Sequence, residues 1–166
     1  MRSLVIAAVL VVSCGAALAE SKSAKVVEGL PECKESASSP TKGWERRVVD
    51  SSFSIALPAC FTRVQDQEPR YAHGGMRWSC DKATIEVVWG IWDPTSFGGG
   101  GERCTTKVNG MRVMVIRSSE SDGLSVIAWY PTRGVHEPII SVHSSKAGDK
   151  DLVLSVALSG KASRRK

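Results

Sequence analysis

The pair Asn109-Gly110 is the sequence feature that most narrows what this chain can fold into. A two-residue β-hairpin loop of type I′ needs φ > 0 at both central residues, and Asn-Gly meets that demand best. The loop also fixes the register, because the flanking residues Val108 and Met111 must pair directly and share a face. The patterns around it predict three consecutive antiparallel strands: Cys104–Val108, Met111–Arg117 and Leu124–Tyr130.

The pleat of these three strands predicts two faces of different character. The first face is nearly all apolar and carries Cys104, Thr106, Val108, Met111, Val113, Val115, Leu124, Val126, Ala128 and Tyr130. The second face is mixed, and its apolar members are Met114, Ile116, Ile127 and Trp129. One whole face and half of the other therefore need cover, which predicts stacked layers. The segment Leu152–Leu158, which fits helical and strand periods equally well, is the best candidate for the covering layer.

The rest of the chain adds shorter elements. Phe53–Leu57 alternates cleanly as a strand and ends at Pro58, whereas residues 62–75 and 93–102 show no period and are predicted loops. Asp149 is a predicted helix N-cap, with helix to Ser155 and an extended end after it. Further strands are predicted at Glu45–Val49, Met76–Cys80, Thr84–Trp92 and Ile139–His143.

These elements predict an α+β fold class. The fold is expected to be a mainly antiparallel sheet of about seven to eight strands with few helices, one of them near the C-terminus. A β-sandwich or barrel is the alternative.

The N-terminal residues 1–19 have the pattern of a secretory signal peptide. Arg2 gives a positive start, Leu4–Val12 is an apolar run too short to span a bilayer, and Ala17-Leu18-Ala19 forms a cleavage motif of small residues. The predicted organisation is then a flexible lead-in at 20–42, one globular domain at 43–160 and a basic tail at 161–166. The predicted location is secreted or periplasmic.

A second processing signal lies in the same leader. Residues 11–14, Val-Val-Ser-Cys, resemble a bacterial lipobox, in which the cysteine becomes the lipidated first residue. Lipidation of Cys14 would anchor the protein to the cell envelope by its acyl chains, and this is the only route to a membrane that the sequence offers. The well-formed Ala-Leu-Ala motif favours the cleaved, unanchored product.

Five cysteines occur, namely Cys14, Cys33, Cys60, Cys80 and Cys104. Cys14 lies in the leader or becomes its lipidated end, so the folded domain keeps four under either form of cleavage, and an even number in an oxidising compartment predicts two disulfides. The gaps between them, 27, 20 and 24 residues, are too wide for a zinc knuckle, so no metal site is predicted. Three pairings are open. A simple meander would separate Cys80 from Cys104 and would favour Cys60 with Cys104 and Cys33 with Cys80.

Three local patterns together resemble the PsbP-like fold of small secreted bacterial proteins. They are a strand ending in Leu-Pro (Phe53–Pro58), a strand entered through Asn-Gly (Val108–Met111) and the terminal Leu-Ser-Val-Ala-Leu (Leu154–Leu158). The resemblance covers residues 44–160, and it implies an α/β/α layered fold and a role as an accessory or binding protein. It implies no catalytic residues, because that family has no shared catalytic motif. The chain departs from the family in its four cysteines and its low helical content.

No group of residues has the spacing of a catalytic or metal site. His143 is the most interesting histidine, because it lies at a predicted strand end beside Ser144-Ser145. A neighbouring serine does not make a triad, since the partners must meet in space and an acid must orient the base. A hydrolase of unknown type that uses His143 is therefore the least favoured hypothesis.

Trp89 and Trp92 lie beside the predicted loop at 93–102, which contains the four glycines Gly98–Gly101. They are the predicted ligand-binding residues, for a sugar or an apolar ligand. No cofactor is predicted. A modest formal net charge of +5 and a secretory leader argue against nucleic acid as a partner. The predicted function is a non-enzymatic binding or accessory module of the bacterial envelope, with an envelope protein, a polysaccharide or a small apolar ligand as partner. A membrane-anchored lipoprotein with a structural role is the alternative.

Overall fold

The computed structural model describes residues 27–34, 43–65, 74–81, 83–90, 101–120, 123–132, 137–146 and 149–163. The strands in these ranges are β1 (Glu45–Asp50), β2 (Phe53–Leu57), β3 (Thr62–Val64), β4 (Gly75–Cys80), β5 (Ala83–Gly90), β6 (Glu102–Val108), β7 (Met111–Glu120), β8 (Gly123–Trp129), β9 (Glu137–Ser144) and β10 (Lys161–Ala162). Helix α1 (Lys150–Ala157) lies between β9 and β10. The predicted signal peptide and Cys14 fall outside the described residues.

Seven strands form one antiparallel sheet in the order β3-β4-β5-β9-β8-β7-β6. Strands β6, β7 and β8 are the three predicted consecutive strands, and their first hairpin is confirmed. Val108 pairs with Met111, and Asn109 and Gly110 have φ values of 51° and 80°. The simple meander stops at β5, because β9 is inserted between β5 and β8. This insertion places β6 at the opposite edge of the sheet from β3.

Strands β1, β2 and β10 form a second, smaller antiparallel sheet in the order β1-β2-β10. This sheet and helix α1 cover one face of the seven-stranded sheet, which we call the inner face. The apolar side chains of the predicted first face lie there, and Val113, Val115, Val126 and Ala128 are fully buried. The predicted fold class is therefore confirmed as a mainly antiparallel α+β fold, with the helix near the C-terminus.

The opposite, outer face is covered in part by the N-terminal segment at residues 27–34. Val27 and Leu30 pack there against Val88, Met114, Ile116, Ile127, Trp129 and Ile139. The segment also runs along β6, where the Cys33 N–H donates to the Thr105 carbonyl at 2.8 Å and the Thr105 N–H donates to the Pro31 carbonyl at 2.8 Å. Part of the predicted flexible lead-in is thus packed, and it covers the backbone of an edge strand.

Helix α1 begins as predicted, with Asp149 as its N-cap residue, but it ends later than predicted. The carboxylate of Asp149 makes no capping bond, and it accepts a hydrogen bond from the Ser144 hydroxyl at 2.7 Å. The helix continues past Ser155 to Ala157, because residues 153–157 are buried against the inner face and tertiary packing extends the helix. Within the described residues, no helix has the length and apolarity to cross a membrane.

Two disulfides form, but the pairing favoured by a simple meander is wrong. The bridges are Cys33–Cys104 and Cys60–Cys80, with Cα–Cα distances of 4.9 and 5.5 Å. Strands β5, β9, β8 and β7 separate β4 from β6, and at about 4.8 Å per strand this places Cys104 far from Cys60 and Cys80. Cys104 therefore bonds to the segment that runs along β6. Two disulfides are consistent with a location outside the cytosol.

Two short strands escaped the sequence prediction. Strand β3 lies in the predicted loop at 62–75 and pairs with β4, with Arg63 opposite Trp78. Strand β10 lies at the start of the predicted basic tail and pairs with β2. Both elements are too short for an alternating pattern to be recognised, and their partners in the sheets define them.

Tyr130 joins the large sheet, the helix and the small sheet at one buried point. Its hydroxyl donates to the Ala157 carbonyl at 2.8 Å and accepts from the Gly160 N–H at 3.1 Å. Its ring meets Phe53 of β2 edge to face, with the ring centroids 5.1 Å apart. Burial raises the pKa of the Tyr130 hydroxyl well above its ordinary value, while the Gly160 N–H and the charge of Arg46 oppose that rise.

The raised pKa of Tyr130 predicts alkaline destabilisation. Above about pH 10 the unfolded tyrosine loses its proton while the folded one keeps it, so the free energy of unfolding falls as pH rises, by up to about 1.4 kcal/mol per pH unit. Tyr130→Phe should remove this contribution. It should also lower the free energy of unfolding at neutral pH by about 1–3 kcal/mol, because a buried carbonyl and N–H lose their partner. Urea unfolding at several pH values measures both effects, and an unchanged alkaline slope in the variant would contradict the assignment.

The hairpin turn predicts a backbone effect at Gly110. A β-carbon there meets no atom within 4 Å, so Gly110→Ala adds only the strain of a left-handed φ, worth about 1–2 kcal/mol of unfolding free energy. Gly29 is the matched control, because its added β-carbon also meets nothing and its φ is not left-handed. Denaturant unfolding of Gly110→Ala and Gly29→Ala should show a loss in the first variant only. Equal losses of unfolding free energy in the two variants would mean that residue 110 does not have a left-handed φ in the folded protein.

Candidate functional site

A cleft of about 380 Å³ opens between strand β1 of the small sheet and strands β3 and β4 of the large sheet. In the described part of the chain, β1 and β3 are the outermost strands of their sheets. The cleft therefore lies where the two sheets diverge at their edges, and we call it the β1–β3 cleft. Its lining residues are Arg47, Val48, Ala59, Phe61, Thr62, Arg63, Met76 and Trp78.

The turn between β2 and β3 forms one end of the cleft. Pro58 ends β2, because proline has a fixed φ and no N–H to donate. The Phe61 N–H then donates to the Pro58 carbonyl at 3.1 Å and closes the turn. Cys60, within the turn, is bonded to Cys80 at the end of β4. The turn and the disulfide together hold β3 beside β4 and fix that wall of the cleft.

The floor of the cleft is apolar. Phe61 and Trp78 are 2% and 4% exposed, and Met76 is half-buried against the main core. Val48 lies across from this floor on β1 and is 71% exposed. A ligand in the cleft would therefore remove apolar surface of Met76 and Val48 from water, because Phe61 and Trp78 are already buried beneath them.

The rim of the cleft is cationic. Arg47 and Arg63 contribute guanidinium groups, which stay charged at any physiological pH. The Arg47 Nη2 lies 2.5 Å from Oε2 of Glu45, two residues earlier on the same strand. Among the described residues, no ion pair involves Arg63. Two guanidiniums and one carboxylate leave the rim with a net positive charge.

The lining residues supply apolar side chains and two guanidinium groups. Among the described lining residues there is no carboxylate, imidazole or thiol. The described residues also hold no cluster of three or more His, Cys, Asp or Glu side chains placed to bind a metal.

Trp89, one of the two predicted ligand-binding tryptophans, is not among the residues that line the cleft. Trp89 is half-buried on β5, packs against the main core, and donates its backbone N–H to the Gly74 carbonyl at 3.3 Å. Its indole also covers the backbone of Gly74, where an added β-carbon would lie 2.7 Å from the indole nitrogen. Trp92 lies outside the described residues, so a groove formed by both tryptophans stays a prediction.

His143 is half-buried in the middle of the large sheet. On β9, His143 is paired with Thr84 of β5 on one side and with Ser125 of β8 on the other. All three residues lie on the outer face. Ser144 is the next residue on the strand and so projects to the inner face, where it is fully buried and bonded to Asp149. The structure therefore does not bring His143 and Ser144 together.

The cleft residues were missed at the level of sequence. Phe61 follows a recognised strand exit, but Thr62 and Arg63 lie in a stretch without a period. Val48 and Arg47 belong to a predicted strand, and nothing in that pattern distinguishes an outermost strand from a central one. The β-branched residues of Thr62–Val64 are the one local signal for β3, and three residues are too few to carry it.

No family model matches the chain, and no curated protein does. Among solved structures, the fold is similar to the solution structure of cyanobacterial PsbP (CyanoP) from Synechocystis sp. PCC 6803, with a TM-score of 0.54 and 10% identity over 78% of this chain and 99% of that chain. A crystal structure from Bacteroides thetaiotaomicron VPI-5482 matches with a TM-score of 0.42 and 13% identity, over 68% of this chain and 46% of the other. The first match confirms the PsbP-like fold that the sequence resembles.

Proposed function

We propose that this protein is a secreted, non-enzymatic binding module of the bacterial envelope that holds a small ligand in the β1–β3 cleft. The observation that carries the proposal is the cleft itself, in which an apolar floor of Phe61, Met76 and Trp78 lies inside a cationic rim. Its volume of about 380 Å³ falls within the range of small-molecule sites, about 300–1,000 Å³.

Two features support secretion to the envelope. The leader has the three parts of a signal peptide, with Arg2, the apolar run Leu4–Val12 and the Ala-Leu-Ala motif at residues 17–19. The two disulfides need an oxidising compartment. The alternative is a lipoprotein anchored through Cys14, and the two forms differ in their first residue, a lipidated Cys14 or a free Glu20.

A binding role is favoured over catalysis by the placement of the groups considered for a hydrolase. His143 and Ser144 project from opposite faces of β9, and the Ser144 hydroxyl is engaged with Asp149 at 2.7 Å. The cleft offers apolar surface and positive charge to a ligand. The PsbP-like fold is compatible with a binding role, since the resemblance implies an accessory or binding protein.

Binding of N-phenyl-1-naphthylamine, an uncharged probe that fluoresces in apolar surroundings, tests the site. Met76→Gln places an amide in the cleft floor and should weaken the affinity at least about threefold. Met111→Gln is the matched control, because Met111 is also half-buried against the core but lies on β7, several strands away. Equal affinities for the two variants, at equal unfolding midpoints, would show that the cleft is not the binding site.

A further inference from the structure

We propose that the ligand of the β1–β3 cleft is a free, single-chain amphiphile with an anionic head group. The head would lie between Arg47 and Arg63, and the chain would lie on Met76 and Val48, above the buried rings of Phe61 and Trp78. The inference rests on the proposed function, because it names the ligand class of the same site.

The charge at the rim selects an anion. Arg63 and Arg47 face the cleft from its two walls, and Glu45 offsets one of them. A guanidinium presents paired N–H donors that match the two oxygens of a carboxylate, sulfonate or phosphate. A cationic head would meet net repulsion here, and a neutral head would gain no charge-assisted hydrogen bond from Arg63.

The register of β3 and β4 places the head site directly beside the apolar floor. Arg63 is opposite Trp78 in the ladder, so their β-carbons lie about 5 Å apart on one face. Met76 lies on the same face of β4, two residues before Trp78. A single molecule therefore contacts charge at one end and apolar side chains immediately next to it, which is the layout of an amphiphile.

The size of the cleft and the burial of its tryptophan narrow the class further. A volume of about 380 Å³ lies at the low end of small-molecule sites, which suits one chain and not the two chains of a membrane phospholipid. Trp78 is 4% exposed, so its ring is not open as a stacking platform for a sugar. The cleft therefore favours an anionic single-chain ligand over a polysaccharide.

The test compares two fluorescent probes with one ring system. 1-Anilinonaphthalene-8-sulfonate carries a sulfonate that N-phenyl-1-naphthylamine lacks, so the ratio of their affinities reports the head-group site. We expect the full-length mature protein to favour the sulfonate. Arg63→Gln should reduce that preference roughly three- to tenfold, Arg47→Gln should reduce it less because Glu45 already offsets Arg47, and Arg63→Lys should keep part of it.

The matched control is Arg112→Gln, which removes an exposed arginine from β7, across the sheet from the cleft. It removes the same charge from the whole protein and should leave the ratio unchanged. Near-ultraviolet circular dichroism and the unfolding midpoint verify that each variant is folded, since the sulfonate probe also binds partly unfolded chains.

A second measurement uses competitors with an alkyl chain in place of the aromatic ring system of the probes. Decanoate should displace the sulfonate probe at lower concentration than decan-1-ol, and anionic phospholipid vesicles should not displace it. Equal displacement by the acid and the alcohol, an Arg63→Gln ratio equal to that of Arg112→Gln, or displacement by vesicles alone would overturn the ligand class. Those results would leave the proposed function in place if Met76→Gln still weakened the uncharged probe. Loss of that Met76 effect would remove both proposals.

Discussion

The hydroxyl of Tyr130 lies where all three layers of the inner core meet, and the arrangement of the small sheet depends on it. It accepts from the Gly160 N–H, three residues after the end of helix α1, and donates to the Ala157 carbonyl in the last turn of that helix. An added β-carbon at Gly160 would lie 2.7 Å from the Phe53 ring, so close approach at this point needs glycine. Strand β10 begins one residue later and pairs with β2, which in turn pairs with β1. The position of one wall of the cleft therefore follows from a buried hydrogen-bonded junction on the far side of the small sheet.

Ser159 reinforces that junction by continuing the β2–β10 ladder with its side chain. Its hydroxyl accepts from the Ala56 N–H at 2.9 Å, two residues beyond the Lys161–Ser54 pair. Asn109 adds a second tie, because its side-chain amide donates to the Gly160 carbonyl at 3.1 Å. The turn between β6 and β7 and the Tyr130 hydroxyl therefore both bind Gly160. Gly160 thus connects that turn to the buried junction of helix α1 and the small sheet. These bonds are buried or partly buried, where an unpaired backbone group costs about 1–3 kcal/mol.

The disulfides act at opposite edges of the large sheet. Cys33–Cys104 fixes the N-terminal segment along β6, and this segment also covers Met114 and Trp129 on the outer face. Cys60–Cys80 fixes the turn before β3 at the other edge, where the described residues form the β1–β3 cleft. One edge is thus covered by the chain itself, and the other presents an apolar floor and a cationic rim. This asymmetry is the structural basis for placing the ligand site at β3.

The sequence by itself determined the local elements and their faces. Asn109-Gly110 set a hairpin whose register follows from turn geometry, and strict alternation in β7 and β8 assigned Val115 to the inner face and Ile116 to the outer face, as observed. The tertiary structure alone decided where strands that are distant in sequence meet. The insertion of β9 beside β5 overturned the disulfide pairing, and packing on the inner face extended α1 to Ala157. The tertiary structure also defined the cleft. The alternation of apolar and polar residues indicates which face of a strand is buried, but it does not indicate which strand lies beside it.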